Sequence, residues 1–176
     1  QNFKQIKQEI EDLSADLGRK PPEIIIVTKY QEIDQIRPLI DHGQRNFAEN
    51  YVQDGIKKWG RLQEIYPKIA FKMHFIGHLQ SNKAKEALDF FDAIHVIDRE
   101  NLMKKIAKYD FSKIKTKEFL IQLNIGREAQ KTGVIPEKLA DLLEVCTQYK
   151  LKISGLMCIP PKSENPENYF SELKSL

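Results

Sequence analysis

Apolar residues recur along the chain in six short runs, and each run is followed by a segment whose apolar positions have helical spacing. The runs lie at 23–29, 46–48, 70–77, 93–97, 119–125 and 153–159. Consecutive apolar positions are typical of strands covered on both faces, as in a parallel sheet. Strict strand–helix alternation therefore predicts a parallel α/β sheet with right-handed crossovers.

The helical segments carry recognisable start and stop signals. Gly43 is placed to end the first crossover helix, and Pro136 to open the fifth. Ser81 and Asp98 are predicted N-caps of the third and fourth crossover helices. The fifth of these helices is expected to bury Leu139, Leu142, Leu143 and Cys146, and a last helix begins around Pro166. An extra amphipathic helix over 1–17, ending at Gly18, precedes the first strand.

Two architectures fit this alternation, an open doubly wound sheet and a closed barrel. A dinucleotide-binding open sheet should show G-x-G-x-x-G after its first strand, where this chain has Thr28-Lys29-Tyr30-Gln31. A TIM-type (β/α) barrel is favoured, although a complete one has eight units and about 250 residues. We expect 1–176 to form one domain lacking its last two β/α units. Because six strands leave exposed edges, we expect a longer natural chain, or a truncated one that pairs with another copy.

Composition narrows the class of protein. With 41% hydrophobic residues the chain can bury one sizeable core. Charges of both signs are interspersed and the net charge is +3, which argues against nucleic acid as a partner. No apolar run approaches the roughly 18 residues of a membrane helix. Cys146 and Cys158 fall on a helix face and in a strand, and two buried thiols indicate a reducing compartment, hence the cytoplasm.

Functional residues of a barrel project from the carboxyl ends of its strands. Lys29 ends an aliphatic strand, so its amine is expected at the barrel mouth, where partial desolvation favours the neutral form that attacks aldehydes. A lysine that extends into solvent is the alternative. Asn50, His74, Asn124 and Met157 lie at or near other strand ends; Asn50 could instead cap the helix that follows it.

Other candidate chemistry is weaker. His74 and His78 are four residues apart, but the strand-like residues between them and the lack of a third ligand argue against a metal site. His95 alternates with apolar residues and is predicted to be a hydrogen-bonded core histidine.

A family resemblance is carried by segments that follow one another along the chain. They are Val27-Thr28-Lys29, the stretch GQRNFAENYVQ at 43–53, HFIGHLQSNK at 74–83, IQLNI at 121–125, Glu128 with Lys131 and Gly133, and Gly155-Leu156-Met157 with Ile159-Pro160. From about residue 20 onward they resemble the signatures of the pyridoxal phosphate homeostasis protein family. The F-I-G-x-L-Q-S-N-K segment is highly specific to that family.

This resemblance implies a fold-type III barrel that binds pyridoxal 5′-phosphate (PLP), similar to the N-terminal barrel of alanine racemase. The lysine that holds PLP as a Schiff base in the family corresponds to Lys29. The implied function is that of a carrier or regulator in intracellular vitamin B6 homeostasis, linked to amino-acid balance, without efficient turnover. Asn50, His74, Asn124 and Met157 are the further cofactor contacts we expect.

The sequence departs from the family pattern at Ala48, Met73 and Tyr30, where glycine, an aromatic residue and threonine are more usual. The family's phosphate cradle and pyridine-nitrogen partner come from its last two strands, which we expect beyond Leu176. A PLP-dependent racemase or decarboxylase on the same barrel remains an alternative, but no tyrosine matches the racemase's second catalytic group. A Schiff-base aldolase that uses Lys29 without cofactor is the other alternative.

Overall fold

A computed structural model describes residues 2–162 and 164–176 of the chain. Strands and helices alternate after one N-terminal helix, and short 3-10 turns precede α4 and α6. The elements are α1 (Asn2–Asp16), β1 (Ile26–Val27), α2 (Ile33–Asp41), β2 (Asn46–Glu49), α3 (Val52–Ile65), β3 (Lys72–Phe75), a 3-10 turn (Ser81–Lys83), α4 (Ala84–Phe90), β4 (Ala93–Ile97), α5 (Glu100–Ile106), β5 (Glu118–Leu123), a 3-10 turn (Pro136–Lys138), α6 (Leu139–Gln148), β6 (Gly155–Cys158) and α7 (Pro166–Ser175).

The six strands form one parallel sheet in chain order, from β1 to β6. The sheet curls into a half-barrel with the helices outside it. The predicted barrel fold with six β/α units is therefore confirmed.

The core lies between the outer face of the sheet and the helices. Strand alternation directs Phe47 and Phe75 outward, where Phe47 packs on Trp59 of α3 with ring centroids 4.6 Å apart. Phe75 packs on Phe91, at the end of α4, at 5.1 Å. Burial of each such aromatic side chain contributes about 1.5–3 kcal/mol, so these contacts fix each helix against its own strand.

The inner face of the half-barrel carries the residues one step out of phase, and it is more polar. Ala48 is in register with His74, and His74 with Ala93. At the first residues of their strands, Lys72 and Glu118 form an ion pair of 2.9 Å. The sheet thus separates an apolar outer core from an inner surface with hydrogen-bonding groups.

Several strands are shorter than the apolar runs predict. The predicted strand over 23–29 is reduced to the two residues of β1, whereas β4 spans the predicted 93–97. In the described residues β1 pairs only with β2, while β4 has a neighbour on each side. A strand with one neighbour has fewer ladder hydrogen bonds to hold it extended.

The predicted caps at Ser81 and Asp98 are wrong. Ser81 is the first residue of a 3-10 turn whose cap position is Gln80, and α5 begins after Arg99 with no side-chain cap. The Asp98 carboxylate is instead 2.5 Å from the Arg99 guanidinium. The expectation that α6 buries Leu143 is also wrong, since this side chain is 40% exposed.

The predicted N-terminal helix is present as α1, although Gln1 lies outside the described residues. Gly18 follows α1 in a left-handed conformation with φ of 61°, as predicted for the residue at which the helix ends. Three apolar side chains of α1 and its end, Ile6, Leu13 and Leu17, are half or more exposed.

Candidate functional site

The carboxyl ends of the strands bring three of the five predicted site residues to one edge of the sheet. Lys29 lies two residues beyond the end of β1, Asn50 directly follows β2, and Asn124 directly follows β5. The chain continues two residues past the last β1–β2 pair, Val27 with Ala48, to Lys29 after one strand and to Asn50 after the other. His74 and Met157 lie within β3 and β6, below this edge.

Lys29 is half-buried and differs from the lysines near it. Lys58 is 3.0 Å from the Glu49 carboxylate, and Lys83 is 3.2 Å from that of Glu86. Within the described part of the chain the Lys29 amine makes no such ion pair. The Lys29 amine is therefore available to a ligand at this edge.

The residue after Lys29 has an unusual backbone conformation. Tyr30 has φ of 64°, in the left-handed region that a bulky side chain adopts only when its surroundings enforce it. Its hydroxyl is 2.5 Å from that of Tyr51, which follows Asn50. This hydrogen bond raises the pKa of Tyr51. The two tyrosines form an exposed pair beside Lys29 that sequence reasoning did not anticipate.

Asn50 is not the cap of α3. That helix begins at Val52 with Tyr51 in the cap position and no side-chain cap. The Asn50 Oδ1 atom is buried without a hydrogen-bond partner in the described part of the chain. Gly77 packs against the same residue, since a Cβ added there would lie 2.0 Å from the Asn50 carbonyl oxygen. A cavity of about 500 Å³ opens between the loops that follow β2 and β3.

The side chain of Asn124 is hydrogen-bonded within the loop that follows β5. Its Nδ2 atom donates to the Glu128 carbonyl oxygen at 2.8 Å, and its Oδ1 atom accepts from the Glu128 amide at 3.1 Å. Gly133 lies close by, because a Cβ there would be 2.7 Å from the Asn124 amide nitrogen. The structure thus places Asn124 at the predicted edge, where both ends of its carboxamide brace the turn at 124–128.

Met157 is in register with Gln122 on the neighbouring strand and is half-buried. His74 is 3% exposed, and its Nδ1 atom is 2.9 Å from Nε2 of His95. His95 is hydrogen-bonded as predicted, but it is half-buried on the inner face of the sheet and does not belong to the core. His74 Nε2 is buried without a partner in the described residues.

Burial lowers the pKa of both histidines, and that of His95 falls to about 4, with His74 as a second cause. In the unfolded chain a histidine has a pKa near 6.5. Below that pH the histidine therefore binds a proton in the unfolded chain, whereas His95 in the folded protein stays neutral. The contribution of neutral His95 to stability is complete above about pH 6.5 and is lost as the pH falls toward 4.

We therefore expect stability to fall by on the order of 2 kcal/mol through His95 between about pH 6.5 and about pH 4. His95→Gln keeps a polar group for His74 but does not titrate, so it should flatten this part of the profile. Urea unfolding midpoints across the range measure the effect. His78→Gln, at an exposed histidine, is the control and should keep the original slope. An unchanged slope in His95→Gln would contradict the assignment.

Among the described residues, no group of three or more His, Cys, Asp or Glu side chains is arranged to hold a metal ion. None of the described helices has the length and apolar character needed to cross a membrane.

The chain is similar to proteins of one structural class. The family model for the N-terminal domain of alanine racemase matches residues 2–175. A crystal structure of an unknown protein from Bifidobacterium adolescentis shares the fold, with a TM-score of 0.85 at 24% identity over 97% of this chain and 74% of that one. The fold is thus that of an alanine-racemase-type barrel domain.

The particular family follows from closer sequence relatives. Pyridoxal phosphate homeostasis proteins from Vibrio cholerae and Escherichia coli K12 are 35% and 36% identical over 98% and 93% of this chain, and over 73% and 71% of their own lengths. The chain belongs to the pyridoxal phosphate homeostasis protein family, and the predicted resemblance is confirmed. PipY of Synechococcus elongatus, solved with PLP bound, matches at 27% identity with a TM-score of 0.72 over 94% of this chain and 78% of its own.

Proposed function

We propose that this chain binds PLP as a Schiff base on Lys29 and serves in PLP homeostasis. The observation that carries the proposal is the half-buried Lys29 amine, free of ion pairs, at the carboxyl edge of a barrel of this family. When bound, PLP supplies an aldehyde that captures amines and an electron-withdrawing ring. Lys29 would hold the cofactor through its amine, which would form a Schiff base with that aldehyde and release one water.

The surrounding residues fit a polar, aromatic ligand. Asn50, at the same edge of the sheet as Lys29, carries a buried oxygen with no hydrogen-bond partner among the described residues. The inner face below the edge is lined by Ala48 and by the His74–His95 pair, so small and neutral groups lie under the mouth. We propose Asn50 as the residue that orients the cofactor beside Lys29, and His74, Asn124 and Met157 as its lower and lateral boundary.

We further propose that residues 1–176 act as one PLP-binding domain in the cytoplasm, as a carrier or regulator without efficient turnover. The relatives are named for homeostasis and not for a reaction. The two cysteines are free, and burial raises the pKa of both thiols, which suits a reducing compartment. Amino acids are the amine partners that PLP chemistry implies, through exchange with the Lys29 nitrogen.

Borohydride trapping tests the proposal. The protein is incubated with PLP, reduced with borohydride and digested, and mass spectrometry locates the pyridoxyl group. We expect the modification on the peptide containing Lys29. Modification mainly at Lys58 or Lys83, or none above the level of a denatured sample, would overturn the assignment.

A further inference from the structure

Glu49 is a buried carboxylate that the proposed cofactor site does not use. It is 1% exposed, and its Oε1 atom accepts hydrogen bonds from Thr28 Oγ1 at 2.7 Å, from Lys58 Nζ at 3.0 Å and from Trp59 Nε1 at 3.1 Å. Gly55 makes room for it, because a Cβ there would be 3.2 Å from Glu49 Cγ. Burying a carboxylate costs free energy, and hydrogen bonds from three donors offset part of that cost. The partners of Glu49 therefore indicate which groups it holds in place.

What it holds is Thr28, the residue directly before Lys29. The Thr28 amide donates to the Ala48 carbonyl at 2.9 Å, and its hydroxyl donates to Glu49. Its carbonyl oxygen accepts from Lys58 Nζ at 2.7 Å and from the Gln31 amide at 3.1 Å. Every polar group of Thr28 is therefore bonded, and Glu49 and Lys58 each engage it from outside its own strand.

We infer that Glu49 and Lys58 are positioning residues that fix the Lys29 backbone by clamping Thr28, an inference that rests on the proposed role of Lys29. We name Thr28, Glu49 and Lys58 the Thr28 clamp. β1 pairs over only two residues, so ladder bonds alone give little support where the strand ends. Beyond Lys29 the chain turns at once through the left-handed Tyr30. The clamp supplies at Thr28 the restraint that the short strand lacks.

The clamp lies on the helix side of the sheet, whereas alternation along the strand directs Lys29 to the other side. Glu49 shares the face of Phe47 and Trp59, and Thr28 bonds to it from that face. A ligand bound to Lys29 and the side chains that support Thr28 thus lie on opposite faces of the sheet. The clamp acts on the ligand through the backbone and not by contact.

Two substitutions at one position test this role. Thr28→Val keeps the β-branched shape but removes the hydroxyl, and Thr28→Ser keeps the hydroxyl. The variants are loaded with PLP, and loss of the cofactor to an excess of an amine scavenger is timed by absorbance. Without PLP, hydrogen–deuterium exchange is measured on the peptide that contains Lys29.

We expect Thr28→Val to release PLP about tenfold faster, the effect of losing one charge-assisted bond from the held state. Its Lys29 peptide should exchange faster, while Thr28→Ser behaves as the parent protein. Equal release and equal exchange in the two variants would overturn the inference. Glu49→Gln, which frees Lys58 but keeps a neutral acceptor, provides the same comparison if Thr28→Val does not fold. If borohydride trapping finds PLP on another lysine, the proposed function fails, while the exchange comparison still decides the clamp.

Discussion

Lys29→Ala should eliminate the visible absorbance of the PLP Schiff base while leaving the protein folded. The amine supplies the covalent bond, whereas the half-buried side chain makes no ion pair in the described structure. Substitutions of this kind change the free energy of unfolding by about 0.5 kcal/mol or less. Absorbance after removal of free PLP measures the first effect, and urea unfolding the second.

Lys83→Ala is the matched control. Lys83 lies in the family-specific segment at the same edge of the sheet, but it is paired with Glu86 at 3.2 Å. This variant should retain the absorbance of the parent protein. A Lys29→Ala protein with undiminished Schiff-base absorbance would show that another lysine carries the cofactor.

Lys58→Met should produce the largest loss of stability among the substitutions considered. It removes the cation from a carboxylate that is 1% exposed and leaves that charge without its ionic partner. Breaking one side of a buried ion pair typically costs about 3–5 kcal/mol. The shift of the urea midpoint, at unchanged slope, measures the loss.

The double variant Glu49→Gln with Lys58→Met distinguishes two causes of the lost stability, the unpaired charge of Glu49 and the lost packing of the Lys58 side chain. It removes both charges while keeping an acceptor for Thr28 and Trp59, so most of the lost stability should return. A double variant as unstable as Lys58→Met alone would mean that the lysine contributes through its packed stem, and the ion-pair account would be wrong.

The fold was predictable because the pattern of apolar positions is a local property. The limits of β4 and the start of α7 at Pro166 follow directly from the sequence. The length of β1 does not, since it depends on pairing with β2, which extends over two residues. Caps fail for a related reason, because Asp98 has a choice of partners and bonds to Arg99 instead of a helix N-terminus.

The site was predictable only in part. The strand-end rule placed Lys29, Asn50 and Asn124 at one edge of the sheet, as the structure has them. It did not show that both ends of the Asn124 carboxamide are hydrogen-bonded within the 124–128 turn. Glu49 could have been identified from strand alternation, which puts it on the same face as Phe47 and hence in the core. The identity of its partners required the packing of α3 on the sheet, which joins residues nine and ten positions away.

The sheet order has a consequence for how this protein is made. Among the described residues, each strand pairs with the strands that are next to it along the chain. A chain leaving the ribosome N-terminus first can thus add these β/α units one after another. All members of the Thr28 clamp lie within the first 58 residues. The support for Lys29 can therefore be assembled during synthesis, before the later half of the barrel has emerged.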